Sequence, residues 1–304
     1  MEYLLLQVLN GVQLGLLMFL LAAGLTLTFG IMDLVNLAHG SLYMMGAYIA
    51  WTFIGWTGSF VLGALLALPA VFLLGVVVEM VVARRLYARD HLDQVLATFG
   101  LILFFNELVR MLWGAGGKTI PVPAFLNHTV EILPGVPYPA YRFAIIVVGA
   151  AVALLLAWLV ARTRLGMLIR AGASNRRMIG ALGVNIELLF TLVFGLGAVF
   201  AGLAGLMAAP ITSVKIGMGD DILILAFVII VIGGIGSIKG AFVAAMVVGQ
   251  IDIVGRAFLP DLLKTFLSAS AASSAAPAIS QVLVYVLMAA VLVWRPTGLF
   301  GQRS

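Results

Sequence analysis

One polar segment, residues 28–48, gathers the side chains of this sequence that are best suited to chemistry and lies between two apolar runs. It offers an imidazole that can exchange a proton, amide and hydroxyl groups that can hydrogen-bond a solute, and glycines that allow close backbone approach. Irregular backbone between membrane helices survives only where protein or a water-filled cavity surrounds it. We therefore expect this segment to line a solute pathway, with the residues Asn36, His39, Gly40, Ser41 and Gly46.

A second glycine-rich interruption, GGIGSIKGA at residues 233–241, divides another apolar stretch into short halves. Paired interruptions in the two halves of a transporter are a sequence indication of the substrate path. On that ground Gly234, Gly236 and Ser237 are added to the predicted pathway. The alternative is that both interruptions are ordinary turns at a membrane surface.

The third distinctive segment is the basic stretch RTRLGMLIRAGASNRRMIGALGVN, residues 162–185. Its apolar residues recur at helical spacing among arginines, which predicts an amphipathic helix with one apolar and one basic face. Such a helix either rests on anionic lipid headgroups or is presented to a soluble partner protein. The residues by themselves leave both interpretations open.

Patterns typical of catalysis or metal binding are not found in the sequence. The stretch GAGGKT at 114–119 ends like a phosphate-binding loop, but Leu112 occupies the position of the required first glycine. His91 and His128 have no partners at metal-ligand spacing, and the chain contains no cysteine. We expect no catalytic residue, no metal site, no cofactor on this chain and no enzymatic activity.

Composition indicates that lipid surrounds these segments. Apolar residues make up 63% of the chain and charged residues 10%, whereas about a quarter of an ordinary soluble domain is charged. The chain therefore has too few polar side chains to cover a water-facing surface. Its length allows about eight to ten spans of roughly 20 residues each. The predicted fold is an all-α, polytopic transmembrane helix bundle with interrupted helices, in one domain over residues 1–304.

Nine apolar runs supply the predicted spans. In lipid they must be helices, because an open strand would leave its backbone groups unpaired. The runs are 4–29, 36–56, 60–82, 93–113, 142–161, 188–209, 221–235, 240–258 and 279–294.

The placement of basic residues predicts the orientation in the membrane. If the runs alternate in direction, ten of the 17 basic residues lie on one side and six on the other. The richer side is cytoplasmic by the positive-inside rule. This places the C-terminus and the loop 162–187 in the cytoplasm and the proline-rich loop 114–141 outside. The net charge of +5 is thus explained by basic residues in the loops between spans, and we expect no nucleic-acid partner.

Five segments, in chain order, resemble the permeases of bacterial high-affinity branched-chain amino acid importers of the ATP-binding-cassette type. The resemblance extends through nearly the whole chain. At two points the chain departs from the family pattern: Asn175 takes the place of the usual acidic residue in the coupling loop, and the Ser/Ala stretch 268–278 is long for the family. The segments are VNLAHGSLYMMGAY (35–48), LATFGLILFFNELVRMLWG (96–114), RLGMLIRAGASNRRMIGALGVN (164–185), GGIGSIKGAFVA (233–244) and WRPTGLFG (294–301).

The resemblance implies a permease subunit that moves branched-chain or other hydrophobic amino acids, or a related small polar solute, into the cytoplasm by alternating access. Its partners in the bacterial inner membrane would be a second permease subunit, two cytoplasmic ATPase subunits that bind ATP and Mg, and an extracytoplasmic solute-binding protein. The alternative is a secondary transporter or channel that works without ATPases. The resemblance assigns ATPase coupling to the loop 162–187, with the residues Arg164, Arg170, Ala171, Ser174, Arg177 and Gly183.

Overall fold

The structure, a computed structural model, describes residues 2–133 and 135–301, and the side chains of Leu133, Arg176 and Arg177 also lie outside the described part. Within these ranges the chain is almost entirely helical, so the predicted all-α fold is confirmed. A π-helical turn, Glu79–Ala83, joins α3 to α4. The helices are α1 (Glu2–Met32), α2 (His39–Thr57), α3 (Phe60–Val78), α4 (Arg84–Leu86), α5 (His91–Trp113), α6 (Ala140–Arg162), α7 (Arg164–Ala181), α8 (Ile186–Ala208), α9 (Met218–Gly233), α10 (Ile238–Leu263) and α11 (Ala269–Trp294).

In the described part, seven helical segments are long and apolar enough to cross a membrane: α1, α3 with its continuation through α4, α5, α6, α8, α10 and α11. α2 and α9 are shorter, with 19 and 16 residues, and each follows an irregular segment inside the bundle. Every predicted apolar run lies on one of these nine. The prediction of a multi-spanning bundle with interrupted helices is therefore confirmed.

The helices define two ends of the bundle. The hairpin end carries the start of α1, the end of α5 and the start of α6; there the Tyr138 hydroxyl donates to Asn10 Oδ1 over 3.1 Å. The arginine end carries the end of α1, the α4–α5 connection, α7 and the segment after α11; there the Tyr87 hydroxyl lies 3.6 Å from Met32 Sδ. The arginine clusters 84–89 and 162–177 thus lie at the same end, as the alternating topology predicts.

The described residues of the segment 114–139, at the hairpin end, are not part of any long helix, as the prolines in this loop predict. They contain a single 3₁₀ turn, Ala124–Leu126, and an antiparallel pair of strands, β1 (Thr129–Leu133) and β2 (Val136–Pro139). The Ser/Ala-rich stretch 268–278 forms the first turns of α11. Ser268 caps this helix by accepting a hydrogen bond from the Ala271 N–H over 3.4 Å, and alanine is the strongest helix former.

Two similar units of opposite direction form the centre of the bundle. In the first unit, α1 runs to the arginine end and the break 33–38 returns the chain into the bundle, where α2 begins. In the second unit, α8 runs to the hairpin end. The break 209–217 then returns the chain into the bundle, where α9 begins. The N-termini of α2 and α9 meet inside the bundle, where the backbones of Gly40 and Gly219 touch. This is the arrangement of an inverted repeat, as found in many transporters.

Candidate functional site

His39 opens α2 and is held deep in the bundle by α1. It is 1% exposed, and its Nε2 lies 3.1 Å from the carbonyl oxygen of Leu21. A ring nitrogen that faces a carbonyl oxygen must donate, so the hydrogen is assigned to Nε2 and Nδ1 is an acceptor. Nδ1 has no partner among the described residues. The histidine thus anchors the start of α2 and keeps one lone pair free.

Asn36, in the break, and Ser41, in the first turn of α2, lie on either side of His39 and are also buried. Their side-chain atoms Asn36 Nδ2 and Ser41 Oγ find no hydrogen-bond partner in the described part of the chain. Roughly 90% or more of buried polar groups in proteins are paired, so three unpaired groups within six residues require an explanation. Water or a passing solute would satisfy them. The assignment of this break to the pathway stays a prediction.

The backbone of the same break is fixed by the start of α5. Gln94 Oε1 accepts from the Val35 N–H over 3.1 Å, and Thr98 Oγ1 accepts from the Leu37 N–H over 3.2 Å. Both side chains are buried, and such contacts replace the backbone hydrogen bonds that a helix would have made. The break is therefore an ordered element that α5 supports.

The two pathway glycines of α2 allow neighbouring backbones to approach. Gly40 touches Gly219 of α9, and Gly46 lies against Gly202 of α8 so closely that a Cβ would overlap its backbone. Small residues at helix contacts permit such close packing in membranes. In this structure both glycines face protein, and their immediate role is to bring α2 against α8 and α9.

The second predicted interruption is a tight turn at the arginine end. Gly234 and Gly236 have φ values of 98° and 79°, which favour glycine. Ser237 Oγ caps α10 by accepting from the Gly240 N–H over 3.0 Å. The turn touches Gly30, close to the end of α1. The segment that matches the first break is 209–217, between α8 and α9, for which the sequence makes no prediction.

A cavity of about 600 Å³ opens beside the meeting point of α2 and α9. The break 209–217, α9 and α11 form its walls, and Met18 of α1 and Tyr43 of α2 form its inner end. Met18 lies close to the middle of the 31-residue α1, so the cavity reaches the central depth of the bundle. Clefts of about 300–1,000 Å³ are typical of small-molecule sites. None of the predicted pathway residues is among its lining residues, but Tyr43, four residues after His39, lines it.

α7 corresponds to the predicted amphipathic helix and lies across the arginine end. Thr163 caps it by accepting from the Gly166 N–H over 3.1 Å. Its buried face carries Ile169 and Gly172, and a Cβ on Gly172 would contact Ile31 of α1 and Leu189 of α8. The helix is therefore seated on the ends of both central helices.

The opposite face of α7 is open to the surroundings of this chain. Among the predicted coupling residues, Arg164, Arg170 and Ser174 are exposed and Ala171 is half-buried, while the side chain of Arg177 lies outside the described part. The apolar side chains Met167, Met178 and Leu182 are also more than half exposed. An exposed face that combines apolar and basic residues suits a protein groove as well as a lipid surface.

Asn175, where the chain departs from the family pattern, interrupts α7. Its φ and ψ of −156° and 92° are not helical, and its Oδ1 accepts from the Met178 N–H over 3.0 Å. Asn175 thus caps the second half of α7, and asparagine and aspartate are about equally good in this role. Gly183 ends the helix with a φ of 85°, a position that favours glycine.

A buried carboxylate close to α7 was not among the predicted site residues. Glu79, in the π-helical turn, is fully buried and pairs with Arg84 over 3.1 Å. Its Oε2 also accepts from Thr191 of α8 over 2.7 Å, and Arg84 reaches Glu187 of α8 over 3.2 Å. Burial and the Glu79 carboxylate raise the pKa of Tyr87, so its hydroxyl stays protonated and donates to Glu79. The cluster ties the α3–α4 junction to the first turns of α8, directly after α7.

The comparisons with known proteins agree with the resemblance. The family model described as "Branched-chain amino acid transport system / permease component" matches residues 7–292. The permease protein BraD of Pseudomonas aeruginosa, from a high-affinity branched-chain amino acid transport system, is 30% identical over 97% of this chain and 95% of its own. LivH of Escherichia coli K12, a permease protein of the same kind of system, is 27% identical over 99% of this chain and 96% of the LivH chain. No solved structure matches the chain.

A more distant relative covers part of the chain. The autoinducer 2 import system permease protein LsrC of Salmonella paratyphi B is 30% identical over 53% of this chain and 46% of its own. The full-length matches carry the assignment, since they include both central units, α7 and the loop between α5 and α6. The chain belongs to the family of permease components of branched-chain amino acid transport systems.

Proposed function

We propose that this chain is the membrane-spanning subunit of an ATP-driven importer that moves branched-chain or similar hydrophobic amino acids into the bacterial cytoplasm. α7 supports this proposal most directly. It packs on α1 and α8 at Gly172, next to the buried Ile169, yet it exposes a face of apolar and basic side chains. A soluble subunit that grips this face would move both central helices together.

The partners follow from the same proposal. Two cytoplasmic ATPase subunits, which bind ATP and Mg, would dock on α7; a second permease subunit would complete the pathway; and an extracytoplasmic binding protein would deliver the solute to the hairpin end. The arginine end would face the cytoplasm of the inner membrane, by the positive-inside rule. The Arg295 side chain donates to the Leu299 carbonyl over 3.1 Å at this end, so the C-terminus would also be cytoplasmic.

The ion pairs within single helices do not support a secondary transporter. Coupling to ions usually requires charged residues at midspan. In the pairs Glu107–Arg110 and Asp252–Arg256, with N–O distances of 2.9 and 2.8 Å, the two residues are one helical turn apart within the same helix. Such pairs are adequately explained as helix-stabilising contacts. The importer proposal therefore does not assign ion coupling to them.

The test replaces Ala171 on the outward half of α7 by tryptophan. A packed protein interface resists a large volume change, so Ala171→Trp should release the ATPase or separate ATP hydrolysis from transport. Ala161→Trp, at an exposed position of the last turn of α6, is the matched control, because lipid interfaces accept tryptophan. The measurements are recovery of ATPase subunits on purification and substrate-stimulated hydrolysis after reconstitution.

The two variants separate the outcomes. Loss of coupling in Ala171→Trp with normal coupling in Ala161→Trp supports the proposal. If both variants retain ATPase recovery and stimulated hydrolysis, α7 is not the coupling element. If no ATPase co-purifies with the unmodified chain and amino acid uptake continues without ATP, the secondary transporter is correct.

A further inference from the structure

The cavity between the break 209–217, α9 and α11 contains two charged side chains of opposite sign. Lys215 and Asp221 both line it. Neither side chain forms an ion pair or a hydrogen bond with a residue of the described part, and they do not pair with each other. Both residues are exposed in this chain, so water or a ligand can reach the two charges.

The depth of the cavity follows from the elements that form it. Val214 pairs with Lys118 near the hairpin end, through N–O distances of 2.8 and 2.9 Å. Five residues later Gly219 touches Gly40 inside the bundle. The break between them thus descends from the hairpin end toward the centre. Lys215 therefore lies closer to the hairpin end, and Asp221 lies in the first turn of α9.

The polar groups around the two charges have unused hydrogen-bonding capacity. The side chain of Tyr43 lines the cavity and is otherwise buried. Its hydroxyl makes no hydrogen bond with the described residues. Gly217, which precedes α9, provides no side-chain cap. The N–H groups of Met218 and Asp220 instead donate to the carbonyl oxygens of Lys215 and Gly217, over 3.2 and 2.9 Å. Met18, Met218 and Leu225 supply apolar wall area.

We infer that Lys215 and Asp221 bind the two charges of an amino acid zwitterion during transport. The carboxylate is placed at Lys215, the ammonium group at Asp221, and the apolar side chain against Met18 and Leu225. The cavity volume of about 600 Å³ leaves room for an amino acid with several waters. This inference rests on the proposed function, because it takes that importer's solute as the ligand.

The test uses the absence of cysteine from the chain. Ser213→Cys places a thiol in the wall of the cavity at an exposed position. In the transport complex purified through this chain, without the binding protein, L-leucine should slow the reaction of this thiol with a maleimide. L-leucinamide, which lacks the carboxylate, and 4-methylpentanoate, which lacks the ammonium group, should protect less.

Charge-removing variants identify the contacts. In the Ser213→Cys background, Lys215→Gln should raise the leucine concentration needed for protection about tenfold and remove the preference for leucine over leucinamide; Asp221→Asn should remove the preference over 4-methylpentanoate. Lys264→Gln and Asp261→Asn are matched controls, since these residues form an exposed pair at the hairpin end, 2.7 Å apart. They should leave protection unchanged.

The outcomes distinguish this inference from the proposed function. If the complex imports leucine but leucine does not protect Ser213→Cys, the zwitterion site is excluded and the importer stands. If protection persists in Lys215→Gln and Asp221→Asn with the same preferences, leucine binds without these charges, and the inference is wrong. If the complex imports no amino acid, the proposed function and the inference both fail.

Discussion

At the scale of single residues, glycines decide how closely the central helices approach. Gly46 of α2 lies against the backbone of Gly202 in α8, where a Cβ would overlap. Gly55, nine residues later on the same helix, has open space around its Cα. One helix thus contains a glycine that packing requires and a glycine that it does not.

These two positions give a matched pair for a stability measurement. Gly46→Ala should destabilise the folded chain by about 1–3 kcal/mol, because overpacking forces α2 and α8 apart. Gly55→Ala should be neutral or stabilising by up to about 1 kcal/mol, since alanine is the better helix former. Thermal unfolding of the purified chain in detergent measures both. Equal unfolding temperatures for the two variants would contradict the packing at Gly46.

The sequence identifies the polar break but not the contacts of its residues. Asn36, His39 and Ser41 stand out because polar side chains are rare in apolar surroundings. Nothing in their spacing indicates that His39 reaches Leu21. The contact between Gly40 and Gly219 joins residues that are far apart in the chain and depends on the whole inverted arrangement. Lys215 and Asp221 were missed as a pair for the same reason.

At the scale of elements, Glu79 joins the α3–α4 junction to α8. Its carboxylate oxygens accept from Arg84, Tyr87 and Thr191 at distances of 2.7–3.3 Å. Each of these donors points at a carboxylate oxygen of Glu79, which can only accept. Because this carboxylate is fully buried and Arg84 is 32% exposed, the pair is shielded from water on one side.

Glu79→Gln should therefore weaken the arginine end of the bundle. The amide nitrogen of glutamine would face hydrogen-bond donors, and breaking a buried pair costs about 3–5 kcal/mol; we expect the lower part of this range because Arg84 is partly exposed. Glu107→Gln is the control, since its pair with Arg110 is more than half exposed and worth about 0–1 kcal/mol.

Thermal unfolding and hydrogen exchange separate these two variants. Glu79→Gln should lower the unfolding temperature and accelerate exchange in the first turns of α8, near Thr191. Glu107→Gln should change neither property measurably. Similar small effects from both would mean that the Glu79 cluster does not hold α3 and α8 together.

The apolar runs predict which segments are helical. They do not predict how deep in the membrane a helix begins or ends. Each run in the sequence lies on a helix, because lipid requires paired backbone groups. The break 209–217 was not recognised, since Ile211, Val214 and Ile216 give it the composition of an ordinary connection. Conversely, the glycines at 233–241 resembled a mid-membrane break and instead form a turn at the arginine end. Composition indicates irregular backbone but not its distance from the membrane surface.

At the scale of the whole molecule, the two central units of opposite direction suit alternating access. α1 and α8 cross where Gly24 and Gly197 face each other; a Cβ on Gly24 would lie 2.6 Å from the Gly197 carbonyl oxygen. α7 is seated on the arginine end of both helices, through Ile31 and Leu189. The cavity lies toward the hairpin end of the same centre. A movement of α7 would thus reach the walls of the cavity through two continuous helices.

This arrangement works as an importer only if the arginine end faces the cytoplasm. The measurement is labelling of single cysteines with a membrane-impermeant thiol reagent in intact cells. Arg85→Cys and Ser174→Cys lie at the arginine end and Thr119→Cys at the hairpin end, and all three positions are exposed in this chain. Because basic loops remain cytoplasmic, Thr119→Cys should react, and the other two variants should not.

Permeabilised cells provide the control for this labelling. After permeabilisation Arg85→Cys should react, which shows that its protection came from the membrane. Ser174→Cys should react more slowly than Arg85→Cys when the ATPase is present and equally fast when it is removed, since it lies on the outward face of α7. Reaction of Arg85→Cys and protection of Thr119→Cys in intact cells would place the hairpin end in the cytoplasm. The cavity would then open toward the wrong compartment for uptake, and the importer orientation would be wrong.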